Sequence, residues 1–127
     1  MALQWAVRIA KGLKAELRLI AVHSRIAFGN LPVGGPRQVS SVNAALHEEM
    51  RKELENAAEK ISDLKVTQHL HDGDAASELV QESAELGLLV TGSRGYGPVR
   101  TVLLGSVAND VIRGSQCPVV VVPRGAT

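Results

Sequence analysis

The chain has 127 residues, 45% of them hydrophobic, with 14 Lys and Arg against 13 Asp and Glu for a formal charge of +1. That length and apolar content suit one domain with its own core, and the balanced charge, without a basic block, argues against general binding to nucleic acid. The single cysteine, Cys117, excludes an intramolecular disulfide framework, an aromatic content of 2% leaves no stacking platform for single strands, and no apolar run approaches the ~18–20 residues of a membrane span.

Residues 2 to 14 place Leu3, Ala6, Val7, Ala10 and Leu13 on one stripe, which predicts an amphipathic helix ending near Gly12. Leu17, Leu19, Ile20, Ala21 and Val22 then form a nearly continuous apolar run, the texture of a parallel strand covered on both faces. Residues 24 to 40 hold Gly29, Pro32, Gly34, Gly35 and Pro36, too many breakers for a helix or a central strand, and predict a long surface loop. It leaves the carboxyl end of a strand, where it either covers a ligand, meets a partner or has no role.

From Ser41 to Asp63, Val42, Leu46, Met50, Leu54, Ala57, Ala58 and Ile61 repeat at helical spacing, with Glu48 and Lys52 on a solvated face. Val66 to Leu70 is a more polar strand, placed near a sheet edge. Asp72-Gly73 turns the chain, and Asp74 caps a helix whose buried stripe is Ala76, Leu79, Val80 and Ala84. Leu88 to Thr91 reads as a buried strand. Val107, Ala108, Val111 and Ile112 give a short helix ended near Gly114, and Val119 to Val122 is the last strand, which Cys117 enters as a small apolar residue. Strict alternation of helix and strand implies an α/β fold with right-handed crossovers and a doubly wound parallel sheet, in one domain over residues 1–127.

Residues 92 to 106, Gly-Ser-Arg-Gly-Tyr-Gly-Pro-Val-Arg-Thr-Val-Leu-Leu-Gly-Ser, join the carboxyl end of a strand to the start of a helix. Glycines there let the backbone approach an anion, and a helix N-terminus offers unpaired N–H groups. No Gly-Lys-Ser/Thr follows the second glycine, which excludes a P-loop, and the glycine order does not fit the dinucleotide fingerprint. A glycine cluster alone shapes a turn; two spaced anchors, Gly92-x-x-Gly95 and then Gly105-Ser106, favour an anion site. Ser106 as an N-cap would present its hydroxyl and the N–H groups of Ser106 and Val107 to that anion, or cap the helix and nothing more. Arg94 and Arg100 would either neutralise phosphate or stand as exposed loop arginines.

This spacing resembles the nucleotide-binding motif of the universal stress protein family, and the likeness covers nearly the whole chain. Ala2-Leu3-Gln4-Trp5-Ala6 with Ala10 and Gly12 is similar to the family's first helix, and Leu17 to His23 to its second strand. Gly73 to Val80 is similar to the turn into its third helix, and Ser115 to Val122 to its closing strand. The resemblance implies an adenine nucleotide alpha hydrolase-like fold and a cytoplasmic stress-response protein whose effector is ATP, with any Mg2+ brought by the nucleotide. It implies cofactor contacts at Thr91, Gly92, Arg94, Gly95, Gly105, Ser106 and Val107, with Val22 in the strand beside the base. It also implies a homodimer paired through the last strand, with neither membrane nor nucleic acid as partner. The alternative is a dimeric interaction protein of the same fold that binds no nucleotide. No catalytic residue is assigned: there is no Gly-x-Ser-x-Gly elbow and no evident base for Ser106, which leaves at most slow ATP hydrolysis or autophosphorylation.

One departure from the family matters. Its members begin with an apolar strand ending in an aspartate, whereas this chain starts inside the first helix, so the domain is expected to be shortened at its N-terminus. In the family that strand lies between the second and fourth strands. Without it those neighbours would close the gap, or another segment or subunit would fill it; otherwise unpaired backbone groups face the slot at about 1–3 kcal/mol each. His69 and His71 lie two apart on a strand and so share a face, but no Cys, Asp or Glu in that strand completes a ligand set, and no metal is assigned.

Overall fold

A computed structural model describes residues 2–24, 36–93 and 105–125. Helices and strands alternate along them: α1 (Ala2–Leu13), β1 (Leu17–His23), α2 (Pro36–Glu59), β2 (Val66–Asp72), α3 (Ala75–Ser83), β3 (Leu89–Gly92), α4 (Ser106–Gly114) and β4 (Val119–Val122).

The helix ends follow local chemistry. After α1 the Ala15 N–H donates to the Ala10 carbonyl at 2.9 Å and the Lys14 N–H to the Lys11 carbonyl at 3.3 Å, with Lys14 at φ 54. This paired bonding closes the helix through a left-handed residue, a position glycine usually fills; Gly12, expected as the stop, instead sits within α1. The α2 helix starts at Pro36, so the loop expected through residue 40 is shorter, and residues 25–35 lie outside the described residues. Pro36 was read as a breaker, yet at the first helical position its missing N–H is no loss and its φ is already set. Asp74 caps α3 as expected: its Oδ2 accepts from the Ser77 N–H at 3.0 Å and from the Ser77 hydroxyl at 2.8 Å. The buried face of α3 differs from the expected stripe, because Glu82 and Ser83 are buried alongside Ala76 while Ala84 is exposed.

The described strands form two parallel pairs: β1 with β2 from Leu17↔Val66 to His23↔Asp72, and β3 with β4 from Leu89↔Val119 to Gly92↔Val122. Among the described residues β1 and β3 do not pair with each other. A cleft of about 800 Å³ lies there instead, lined by Leu19 and Ala21 of β1, Leu89 and Thr91 of β3, Ala10 of α1 and Leu54 of α2. The two halves are joined by helices: α1 packs on β1, β3 and β4, while α3 packs on both β1 and α4. The more polar β2 has β1 as its one strand partner among the described residues, which agrees with its expected place at an edge.

The core is built from small apolar residues. Ala76, Leu89 and Val111 form its centre, with Leu79, Leu86, Cys117 and Val119 packed around them. Val111 is fully buried, and burying such a side chain contributes ~1.5–3 kcal/mol. Of the four apolar residues that marked α4 in the sequence, Ala108 and Val111 are buried, while Val107 and Ile112 are exposed.

Candidate functional site

The expected site lies where β1 and β3 end and α4 begins. A helix that returns between parallel strands runs against them, so its N-terminus comes to the carboxyl-end side of the sheet. Val22 is half-buried near the end of β1 and Thr91 near the end of β3, where its hydroxyl makes a long 3.4 Å contact to the Gly92 carbonyl. A Cβ added at Gly92 would meet the Ala2 Cβ at 3.8 Å, an ordinary contact, so the protein's own packing does not demand a glycine there.

The cap of α4 falls one residue before Ser106, the expected N-cap. Gly105, at φ −67 and ψ 164, occupies the cap position, and Ser106 is the first helical residue, exposed beside the exposed Val107. No side chain caps this helix, which leaves its first-turn N–H groups to solvent or to an incoming anion. Arg94 and Gly95, with Tyr96, Gly97, Pro98 and Arg100, lie outside the described residues.

Two polar groups at this edge were not singled out from sequence. His23, at the end of β1, is 4% exposed and its Nδ1 lies 3.1 Å from Asp72 Oδ1. The same oxygen is 3.0 Å from His47 Nδ1, and the two imidazoles meet edge to face at 5.9 Å. His23 Nε2 is buried and finds no hydrogen-bond partner among the described residues; nor does the buried hydroxyl of Ser93, which directly follows β3. The Ser93 backbone is held by its N–H donating to the Val122 carbonyl at 3.0 Å. Buried polar groups are nearly always paired, so two orphans at two strand ends are informative. In sequence His23 was a polar residue closing an apolar run and Ser93 a polar residue after a glycine, and neither pattern marks burial.

A second polar cluster lies on the other side of the β1–β2 pair. Glu82 of α3 is 6% exposed, and its Oε2 accepts from Arg18 Nη1 of β1 at 2.7 Å. Its Oε1 receives His69 Nδ1 at 2.8 Å and His71 Nε2 at 2.6 Å. Burial pushes the Glu82 carboxyl up, but the hydrogen bonds from His69, His71 and Arg18 outweigh it and hold the pKa at about 2, below the ordinary 4.5. Asp72 closes the histidines' own strand but contacts His23 and His47; the carboxylate that meets His69 and His71 is supplied by a helix, where a reading along the strand alone does not find it.

The parallel strands, the alternating helices and the open carboxyl edge define a doubly wound α/β domain. The profile of the Universal stress protein family matches residues 1–123, and the chain belongs to that family. It is 33% identical to Universal stress protein MJ0531 of Methanocaldococcus jannaschii, across 94% of this chain and 71% of that protein. Among solved structures, hypothetical protein MJ0577, whose structure served to assign its biochemical function, superposes with a TM-score of 0.72 at 26% identity, covering 98% of this chain and 89% of that one. A universal stress protein in complex with cAMP superposes with a TM-score of 0.57 at 21% identity, covering 95% and 86%, a likeness of fold. No described helix is long and apolar enough to cross a membrane.

Proposed function

We propose that this universal stress protein binds an adenine nucleotide at the carboxyl ends of β1 and β3 and acts as a dimeric regulator. The observation that carries the reading is the pair of buried, unpartnered polar atoms, His23 Nε2 and Ser93 Oγ, one at each strand end. A nucleotide would satisfy both. Val22 and Thr91 then flank the base, and the uncapped first turn of α4, at Gly105, Ser106 and Val107, faces phosphate. The spacing of Gly92, Gly95 and Gly105-Ser106 supports the same ligand, with ATP and its own Mg2+ as the particular form. That a protein of this fold has been solved with cAMP is in keeping with it.

Native mass spectrometry of the purified chain and calorimetric titration with Mg-ATP, followed by ADP, AMP and cAMP, test the reading. Saturable binding is expected. Ser93→Ala should weaken it roughly tenfold or more, the worth of one hydrogen bond to a charged group at about 1.5–3 kcal/mol. Gly95→Val should abolish binding with little change in melting. A nucleotide-free mass spectrum with a flat titration would instead favour the second reading, a dimeric interaction protein of this fold without nucleotide.

For the dimer, β4 supports an edge contact: among the described residues it pairs with β3 alone, and Pro118 and Pro123 bracket it. Their missing N–H groups limit a second strand to one register. Val121→Lys should give a soluble monomer in sedimentation, and a persisting dimer would place the contact elsewhere.

A further inference from the structure

We propose that His69, His71 and Glu82 form a binding site for a borderline first-row divalent cation, zinc in the first instance. The site is separate from the nucleotide edge and independent of that reading.

Three features carry it. The first is convergence. His69 Nδ1 and His71 Nε2 both point at one oxygen, Glu82 Oε1, at 2.8 and 2.6 Å, and the three ligand atoms lie within 4.8 Å of one another. Tetrahedral zinc, with bonds of ~2.0–2.2 Å, sets its ligand atoms about 3.3 Å apart. The two contacts to Oε1 therefore lengthen by roughly half an ångström or a little more, with the metal taking the place of the two protons now donated to Oε1.

The second is support around the ligands. Arg18 holds the other carboxylate oxygen at 2.7 Å and fixes the orientation of a nearly buried Glu82. His71 turns its remaining nitrogen, Nδ1, toward Glu78 Oε2 at 3.6 Å, one helical turn before Glu82. At that distance the two make no hydrogen bond, but the Glu78 charge favours a proton on Nδ1, the tautomer that leaves Nε2 free for metal.

The third is access and donor chemistry. The side chains of His69 and His71 are 36% and 33% exposed, which leaves a path for the ion and room for water as a fourth ligand. Two imidazoles and one carboxylate suit zinc and its first-row neighbours. The guanidinium of Arg18 beside the carboxylate disfavours calcium and magnesium, which rely on several anionic oxygens. A bound ion would tie the edge strand β2 to α3.

The test uses the full chain, stripped with chelator, and the metal alone, zinc or cobalt(II). One equivalent should bind, cobalt should show the visible absorption of a tetrahedral site, and zinc should raise the melting temperature. His69→Gln and Glu82→Gln should each weaken uptake at least tenfold, and Glu78→Gln by less than either, since it removes a nearby charge and not a ligand. His47→Gln, in the other histidine cluster, should leave uptake unchanged. If Glu82→Gln fails to fold by circular dichroism, His69→Gln, at a half-exposed side chain, decides. The proposal is overturned by no saturable uptake in the unaltered chain, by uptake indifferent to His69→Gln, or by loss in His47→Gln alone.

Discussion

Gly114 and Val80 meet where the end of α4 crosses α3, so closely that a Cβ on Gly114 would stand 2.9 Å from Val80 Cγ2 and 3.3 Å from Cγ1. Real Cβ contacts are not made at that distance, so the two helices approach to this separation because one of them lacks a side chain there. Gly114 follows the core residue Val111 by about one turn of α4, and Val80 follows Ala76 by about one turn of α3, so this crossing helps set how closely the two core-bearing helices approach.

Gly114→Ala should therefore lower stability by about 1–3 kcal/mol through overpacking, even though alanine is the better helix former. Gly12 in α1 supplies the control, since a Cβ there meets nothing within 4 Å; Gly12→Ala should raise stability by ~0.5–1 kcal/mol. Opposite shifts in thermal melting are expected, and shifts of the same sign would show that the α3–α4 approach is not limited by Gly114.

Lys14 closes α1 at φ 54, a conformation costly for a side chain and open to glycine. Lys14→Gly should stabilise the protein, by roughly 0.5–1 kcal/mol after the extra freedom of glycine in the unfolded chain is set against the relieved strain. Denaturant titration with an unchanged slope and a higher midpoint would bear this out; a lower midpoint would count against it.

Ser83 is 1% exposed and bonds twice: its hydroxyl donates to the Val80 carbonyl at 2.6 Å and accepts the Gln116 N–H at 2.9 Å. It thereby fixes the turn between α4 and β4 onto α3. Ser83→Ala should cost about 1–3 kcal/mol by orphaning the Gln116 N–H. Hydrogen exchange at that amide should accelerate in the variant, and unchanged exchange would mean that water replaces the hydroxyl.

Asp74 holds its carboxyl below the ordinary 3.8, chiefly through the Ser77 backbone N–H and then the Ser77 hydroxyl. A carboxyl lowered by folding contributes stability that is complete above 3.8 and is lost as pH falls through the folded value. The margin of the unaltered protein over Asp74→Ala should be widest near neutral pH and narrow below pH 3.8. Melting curves across that range give the comparison, and a margin independent of pH would assign the effect to the helix sequence alone.

Element types were legible in the sequence wherever burial is apolar and periodic: β1, β3 and β4 stand out as short apolar runs, and Asp74 announces α3 with a side chain suited to one task. Pro36 misled because a proline opens a helix and breaks one with equal ease, and only its position relative to later residues decides which. Glu82 and Ser83 were invisible for another reason. Their burial depends on Arg18, 64 positions from Glu82, and on Gln116, 33 positions from Ser83. A periodicity scan assigns polar residues to solvent because it cannot see a partner that distant. The glycine spacing pointed to the carboxyl edge, but the burial of the polar atoms of His23 and Ser93 there shows only once β1 and β3 are packed beneath helices.

The cleft between β1 and β3 leaves each described strand with a single neighbour, so among the described residues neither strand pair has an interior strand. In a continuous sheet the middle strands are the last to give up their amide protons, since both sides are bonded and opening them means opening the whole ladder. Here the middle is a seam. Arg18, gripping Glu82 at 2.7 Å and Glu85 at 2.9 Å, helps fasten the β1–β2 half to the helices over the other half. Deuterium should therefore enter the seam-facing amides of β1 and β3 as readily as those of the outer strands, and the two halves part along side-chain contacts before either half loses a backbone bond.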